Sequence, residues 1–441
     1  MKFIADLHLH SKYSRATSRD MDLENLDKWA RIKGIKVIGT GDFTHPLWFK
    51  ELKEKLEPAE TGLFKLKAKK TKVKNNDWLP NNGNINHKED HDIRFLLSAE
   101  ISCIYSKNNR TRKVHTIIFA PDFKTVEKIN TQLDWIGNIK ADGRPILGLD
   151  VKELAKIVLN SSSQCLVVPA HIWTPWFSIF GSNSGFDSIK ECYDDYSQYI
   201  YASETGLSSD PAMNWRLSAL DNITMLSNSD AHSPSKLGRE ANVFEMKNLS
   251  YRNIMDAIKL GAKAKEADNR LVATIEFFPE EGKYHYTGHR NCQISLTPKE
   301  TKKLKNICPK CGKPLTIGVL HRIDELADRQ EGQKPERTIA YQSLIPLEEI
   351  IADSIGVGVA SKRVREEYKN LIKKFGSEFM ILQQATEEQI AQASSLQIGQ
   401  AVSRVRQGKV HIEPGYDGQF GKIKIFNEEE RNNLSKQNSL F

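Results

Sequence analysis

An α/β barrel is the fold class that this sequence predicts, and three observations predict it. Short apolar runs recur along residues 1–250, and each leads to a His, Asp or Glu or opens on one. Stretches of helical period lie between those runs, as alternating strands and helices require. At 441 residues the chain is long enough for two or more domains and a large core. Polar residues gathered from the ends of several strands are what a barrel active site needs.

Taken in order, Phe3-Ile4-Ala5 reads as a short buried strand that delivers His8 and His10 at its carboxyl end, two residues apart. Two imidazoles that close suit one transition-metal ion. Residues 21–34 form the first helix, with Leu23, Leu26, Trp29, Ala30 and Ile32 as its apolar stripe and Gly34 as its stop. Val37-Ile38-Gly39 leads to Asp42 and His45, and a second helix spans Trp48 to Leu56. Six lysines in the ten residues 65–74 read as a solvated loop or a phosphate-contacting arm, and Asn75 to Asp92 as exposed loop. Phe95 to Ala99 leads to Glu100, and His115 opens the run Thr116 to Phe119. After a helix from Val151 to Leu159, Leu166 to Ala170 leads to His171. Glu204 follows the strand-like run Tyr199 to Ala202, facing the same site or capping an exposed turn. Ile223 to Ser229 leads to Asp230 and His232.

Composition excludes several classes. No apolar run reaches the roughly 20 residues of a membrane span, and the first strand begins at once, without a signal peptide; a cytoplasmic protein, nucleoid-associated when on DNA, is expected. A formal net charge of +8 favours a polyanionic partner. Six cysteines without a secretion signal argue against a disulfide framework. Cys103, Cys165 and Cys192 are scattered and read as buried thiols.

The ordered set His8-x-His10, Gly41-Asp42 with His45, Glu100, His115, His171 and Asp230-x-His232 resembles the PHP (polymerase and histidinol phosphatase) metallophosphoesterases over roughly residues 1–250. The resemblance implies a distorted (β/α)7 barrel holding up to three metal ions. The usual second motif places His directly after Asp, whereas Phe43-Thr44 intervene here, so Asp42 and His45 both stand as the direct ligand. The resemblance makes His8, His10, Asp42, His45, Glu100, His115, His171, Asp230 and His232 the shared ligands of two or three divalent ions (Zn2+, Mn2+ or Mg2+). Asp230, Glu100 and His171 carry the catalytic assignment, and Asp6 is a partner that orients an imidazole.

Four aromatic residues, Trp173, Trp176, Phe177 and Phe180, crowd the loop after His171. They pack over the barrel mouth or stack a flat substrate, as aromatic faces do for extruded bases. Ser178 and Asn228 are candidate polar contacts to such a base. Arg239 is a candidate phosphate clamp, because guanidinium matches phosphate bidentately, or else a surface ion pair.

Near residue 265 the character of the chain changes. His289-x2-Cys292, then Cys308-x2-Cys311 after fifteen residues, makes a four-ligand set with the spacing of a structural zinc ribbon, with His285 as the alternative to His289. Arg290 and the lysines of Thr301 to Lys305 give that ribbon phosphate-binding character. Helices follow at Leu347 to Ile355, Ser361 to Phe375 and Thr386 to Leu396, then a helix, Gly408 and hairpin-like strands across Ile412 to Ile423. Arg404 and Arg406 are candidates for nucleic-acid contact. The expected division is a barrel over 1–265, a ribbon over 266–322, a helical DNA-binding region over 323–430 and a disordered tail over 431–441.

The segments from His171 to Phe177, Glu204 to Pro211 and Ser229 to His232 are similar to those of the endonuclease Q family. So are those from Tyr284 to Cys292, Cys308 to Thr316 and Pro414 to Ile423, so the similarity covers essentially the whole chain. It implies a DNA-repair nuclease that nicks 5′ to a deaminated base (uracil, hypoxanthine, xanthine) or an abasic site. Two other function classes are weighed: a small-molecule phosphoesterase acting on histidinol phosphate, and a non-catalytic DNA-binding module. The first has no use for a ribbon, and the nearly complete ligand set argues against the second.

Overall fold

The computed structural model describes residues 1–67, 92–264, 267–427 and 429–431. The lysine run beyond Lys67, the Asn-rich loop up to residue 91 and the tail from residue 432 lie outside the described residues.

Strand β1 (Lys2–Asp6) pairs parallel with β2 (Val37–Gly39) across helix α1 (Leu23–Lys33). The helix starts where the Asp22 carboxylate accepts from the Asn25 N–H at 2.9 Å, and ends at Gly34, whose φ of +87° suits a residue without a side chain. Helix α2 (Pro46–Lys55) leads to the hairpin β3 (Leu56–Pro58) and β4 (Phe64–Leu66). The long β5 (Arg94–Lys107) lies parallel to β2, and β6 (Arg110–Ala120) runs back antiparallel to it. Helix α3 (Phe123–Ile136) leads to β7 (Ile146–Leu147) on the far end of β5. Then α4 (Val151–Ser161) precedes β8 (Leu166–Pro169), antiparallel to β6. After α5 (Ile189–Tyr193) come β9 (Ala202–Glu204), α6 (Pro211–Asn214) and β10 (Thr224–Leu226), with β9 and β10 parallel.

The path β1-β2-β5-β6-β8-β9-β10 is the seven-stranded barrel, and the reversed β6 is its distortion. It closes through the loops after β8 and β10. The Ile172 N–H donates to Glu204 O at 3.1 Å, the Asp230 N–H donates to His8 O at 3.0 Å, and Leu9 bridges Ala231. Alternate strand residues feed two separate cores. Phe3, Ala5 and Leu7 pack with Val37, Leu96, Ile117, Leu166 and Leu226, whereas Ile4, Ile38, Phe95 and Leu97 join Leu26 and Trp29 of α1.

Beyond the barrel, β11 (Ala241–Met246) pairs antiparallel with β1, and β12 (Asn269–Glu276), reached through α7 (Tyr251–Leu260), pairs with β11. The ribbon holds β13 (Thr287–His289), β14 (Ile294–Leu296), α8 (Pro298–Lys303) and α9 (Val319–Leu326). Strand β15 (Ala340–Ser343) then returns to lie parallel to β12. Helices α10 (Leu347–Ile355), α11 (Lys362–Phe375), α12 (Glu378–Gln383), α13 (Glu387–Ala393) and α14 (Leu396–Arg406) form the helical region, and β16 (His411–Glu413) pairs with β17 (Lys422–Lys424). The fold is thus the distorted barrel, ribbon and helical region that the sequence predicts. Among the described residues, no helix is long and apolar enough to cross a membrane.

Candidate metal centre

His8 and His10 leave the end of β1 into the barrel mouth, where Glu100 of β5 and Asp230 of the loop after β10 meet them. His10 Nε2 stands 3.2 Å from Glu100 Oε2 and 3.1 Å from Asp230 Oδ1, and His8 Nε2 stands 3.5 Å from Glu100 Oε2. A second set shares the same carboxylate: His115 Nδ1 and His171 Nε2 lie 2.8 and 3.2 Å from Glu100 Oε1. Potential ligand atoms of each set fall within 4.8 Å of one another. His8 Nε2, His10 Nε2 and Asp230 Oδ1 are buried without a hydrogen-bond partner. Buried polar atoms are ordinarily paired, so three unpartnered ones converging on a point fit a cation.

The other ring nitrogens are held from behind. His8 Nδ1 faces Glu204 at 3.0 Å and His10 Nδ1 faces Asp42 at 3.0 Å, so each carboxylate fixes a tautomer with Nε2 toward the centre. Glu204 also accepts from the His171 N–H and from Asn228 Nδ2, both at 3.0 Å, which makes it a fully buried partner rather than an exposed cap. Asp42 accepts from the Ser11 N–H and hydroxyl and from the Ser14 hydroxyl. Burial works against charge on His8 and His10, but the facing carboxylates outweigh it and raise both well above the ordinary histidine range. The same excess of carboxylate favours a cation in the proton's place. Burial pushes His115 down to about 4, which leaves it neutral near pH 7 and able to ligate.

Several expected site residues sit elsewhere. Asp42 stands behind His10, and neither it nor His45 joins either set; His45 stacks on Tyr13 with ring centroids 4.4 Å apart. His232 packs on the His10 ring at 4.5 Å and turns Nδ1 to Asp230 O at 2.9 Å. Asp6 takes the Ser229 and Gly238 N–H groups at 3.0 Å each, bracing the Asp230 loop instead of an imidazole. Arg239 Nε donates to Ser229 O at 2.8 Å, so this guanidinium also steadies the loop rather than waiting for a phosphate.

The aromatic loop divides. Trp173 and Phe180 are buried, stack on each other at 4.8 Å and hold the loop, with the Trp173 indole donating to Asn214 Oδ1 at 2.8 Å. The buried Ser178 hydroxyl donates to Thr174 O. Trp176 is 40% exposed, and Phe177, half-buried, lies 4.7 Å from the His115 ring. Asn228 is buried and committed: Oδ1 accepts from the Leu7 N–H and Asn242 Nδ2 at 2.9 Å each, while Nδ2 donates to Glu204. Its side chain is fully buried, so it turns no edge to a base.

The sequence reading missed Arg144, whose Nη1 donates to Glu100 Oε2 at 3.0 Å and helps to hold that carboxyl well below its usual range against burial. No local pattern marks Arg144. The Gly143 N–H to Tyr13 O bond (3.0 Å) and the Asp142 carboxylate, which accepts from the Arg144 N–H at 3.0 Å, place it from an otherwise featureless loop.

In the ribbon, His289, Cys292, Cys308 and Cys311 form the third such group. Two turns present it: residues 290–292 follow β13, and the Cys308 N–H to Lys313 O and Gly312 N–H to Cys308 O bonds fold residues 308–313 into a tight knuckle. His289 Nδ1 lies 3.4 Å from Cys311 Sγ, whereas His285 is buried against Tyr286, outside the group. The four atoms have the donor chemistry of a closed tetrahedral metal site.

Family comparisons agree with this layout. Residues 214–262 match the family model described as PHP-associated, and residues 346–409 match the one described as MJ0043 C-terminal domain. The Methanocaldococcus jannaschii protein MJ0043 is 35% identical over 258 residues, which are 57% of this chain and 31% of that protein, so the chain spans under a third of that relative. The Bacillus subtilis protein YqxK is 28% identical over 434 residues, covering 96% of this chain and 99% of its own. The crystal structure of the lesion-specific endonuclease PfuEndoQ from Pyrococcus furiosus superposes with a TM-score of 0.82 at 33% identity, covering 100% of this chain and 99% of that one. A structure of endonuclease Q bound to a 27-mer duplex with an abasic lesion at its active site gives 0.80 at 33% identity, over 97% and 98%. With this whole-length similarity and the metal-binding barrel mouth, the chain belongs to the endonuclease Q family.

Proposed function

We propose that this protein is a DNA-repair endonuclease that hydrolyses the phosphodiester 5′ to deaminated bases (uracil, hypoxanthine, xanthine) and to abasic sites. One observation carries the reading: a single buried carboxylate, Glu100, is shared by two His-bearing sets, and in the first of them the inward Nε2 atoms of His8 and His10 lack hydrogen-bond partners. His8, His10, Glu100 and Asp230 would hold one divalent ion and Glu100, His115 and His171 another, with Zn2+, Mn2+ or Mg2+ as candidates. Bound there, such ions neutralise phosphate charge and lower the pKa of water toward neutrality. Arg144 keeps Glu100 ionised, and Glu204 and Asp42 keep the imidazoles aimed. His289, Cys292, Cys308 and Cys311 would hold a zinc ion in a structural role.

A base inside a duplex is beyond reach of the barrel mouth, so lesion choice requires extrusion, which costs a few kcal/mol and less at damaged pairs. The exposed Trp176 and the half-buried Phe177, which lies beside His115, are the ring faces that can receive it. Because Asn228 is committed, a backbone N–H is the donor that would read the carbonyl left by deamination. The division into barrel, ribbon and DNA-binding helical region, and a cytoplasmic, nucleoid-associated location, belong to the same reading.

The test is an assay of the metal-loaded protein on uracil-containing, abasic and unmodified duplexes and on histidinol phosphate. Nicking of the two lesion duplexes alone is the expected outcome. Turnover of histidinol phosphate with intact DNA would replace this reading by a small-molecule phosphoesterase, and no turnover of either by a DNA-binding module.

A further inference from the structure

Phe177, one of the two ring faces assigned above to an extruded base, has a φ of +62°. A bulky side chain keeps that left-handed conformation only where its surroundings enforce it. The bracing is visible bond by bond. The His115 N–H donates to Phe177 O at 3.0 Å, and the Phe177 N–H donates to the Ser184 hydroxyl at 3.3 Å. Beside them, the Asn183 N–H donates to Pro175 O at 3.0 Å. Residues 180–187 are therefore the backing on which Trp176 and Phe177 rest, and the position of that backing sets the position of both rings.

Two arginines hold the backing, one from the barrel and one from beyond it. Arg112 of β6 is buried with its guanidinium 4.0 Å from the Phe186 ring centroid, and it donates to Gly185 O. Arg322 comes from α9 of the ribbon. Its Nε donates to Phe180 O at 3.1 Å and its Nη2 to Phe186 O at 3.3 Å, and Nη2 also meets the Asp187 carboxylate. Glu325, one turn on, accepts from Nη1 at 3.2 Å. A guanidinium is a planar, rigid fork, so bonds from two of its nitrogens fix two carbonyls relative to each other. An ion pair with the exposed Asp187 alone would not need those carbonyl bonds. Helix α9 is itself seated on both neighbours. The Val319 N–H donates to Tyr284 O at 2.7 Å, whereas Asp324 pairs with Arg216 at 2.7 Å and the Asp328 and Arg329 N–H groups donate to Arg216 O at 3.1 Å each.

We propose that Arg322 is a positioning residue for base recognition: from the ribbon it fixes the 180–187 backing, and through it the ring faces that receive the extruded base. Arg322 meets the carbonyls of the loop and leaves the metal ligands and the reacting phosphate to other groups. The inference rests on the endonuclease reading and deepens it, because it makes the preference for a deaminated base depend on a side chain outside the barrel. An abasic site has no base to stack, so cleavage there draws little on the placement of Trp176 and Phe177.

The experiment compares steady-state nicking of uracil-containing and abasic duplexes by the metal-loaded protein. Arg322→Met removes the carbonyl bonds and keeps an apolar stem. It is expected to lower kcat/KM on the uracil duplex about tenfold, through a rise in KM, and that on the abasic duplex by less than about twofold. Arg322→Lys, whose single ammonium cannot reproduce the fork, is expected to lose about threefold on uracil alone. Thermal melting reports whether each variant folds, and if Arg322→Met does not, the same ratio in Arg322→Lys decides. Equal losses on the two duplexes would make Arg322 a general scaffold residue and overturn the inference, as would a native ratio in the variants. A native protein that nicks the abasic duplex alone leaves no base reading for Arg322 to support and overturns it too. Absence of nicking of either duplex by the native protein overturns the endonuclease reading and the inference with it.

Discussion

At the scale of single residues, orientation matters as much as ligation. Glu204 gathers three donors, His8 Nδ1, the His171 N–H and Asn228 Nδ2, so it couples one residue of each His set to the scaffold of β10. In Glu204→Gln the new amide NH2 must face one of those donors. Active-site metal affinity is expected to fall about 10–100-fold, and metal titration with recovery of nicking at excess ion checks it. Asp230→Asn removes the carboxylate that faces His10 Nε2 and is expected to abolish nicking while folding and DNA affinity stay close to native. Nicking at the native rate by a metal-replete Asp230→Asn protein would remove Asp230 from the chemistry.

At the scale of elements, the ribbon depends on its knuckles. The fold of residues 308–313 presents Cys308 and Cys311 from one turn, and the turn after β13 presents Cys292 beside His289. Cys308→Ser is expected to lower zinc content by one ion per chain and to unfold the ribbon at a lower temperature, because binding of a structural ion is coupled to folding. Unchanged zinc stoichiometry and thermal stability together would leave these cysteines as ordinary thiols. The helical region has its own anchoring. Arg406 donates to the carbonyls of Ile381 and Leu382 at the end of α12, and Arg404 pairs with Glu430 at 2.8 Å, so both arginines are committed to packing.

At the scale of the whole molecule, one buried ion pair ties the helical region to the barrel. Lys33 at the end of α1 meets Glu378 at 2.7 Å, and Glu378 also accepts from the Tyr368 hydroxyl and from the Leu347 N–H. Removal of one partner strands the other in the interior, so Lys33→Met is expected to cost about 3–5 kcal/mol, measurable by denaturant titration. A second global property is set by two buried carboxyls, Glu276 at the end of β12 and Glu240 just before β11. Burial raises Glu276 to about 8, and its neighbour Glu240 is raised too by burial and by Glu276. An acid held above its unfolded pKa stabilises the fold fully below that unfolded value, and the contribution is lost as pH rises through the folded one. Melting temperature is therefore expected to decline between about pH 5 and pH 8, and Glu276→Gln to flatten that decline; an unaltered profile would show that this carboxyl stays ionised.

The sequence by itself determined the barrel, the ribbon and the order of His, Asp and Glu residues at strand ends. Those signals are local: a period of two or of 3.6, a cap, or a Cys-x2-Cys spacing, each set by a few neighbouring residues. Gly34 ends α1 in space as it does in the chain, whereas the start falls at Leu23 behind the Asp22 cap rather than at Met21. Only the tertiary structure decided which way each side chain turned. Glu100 serves both sets, Asp42 backs His10, Asn228 is spent on the scaffold, and Arg144 arrives from a loop without a pattern. The same holds for His289 over His285, and for the division of the aromatic loop into buried Trp173 and Phe180 against exposed Trp176. The physical reason is that hydrogen-bond saturation and burial are set by partners far apart in sequence, 221 residues in the case of Leu7 and Asn228, which local spacing does not encode.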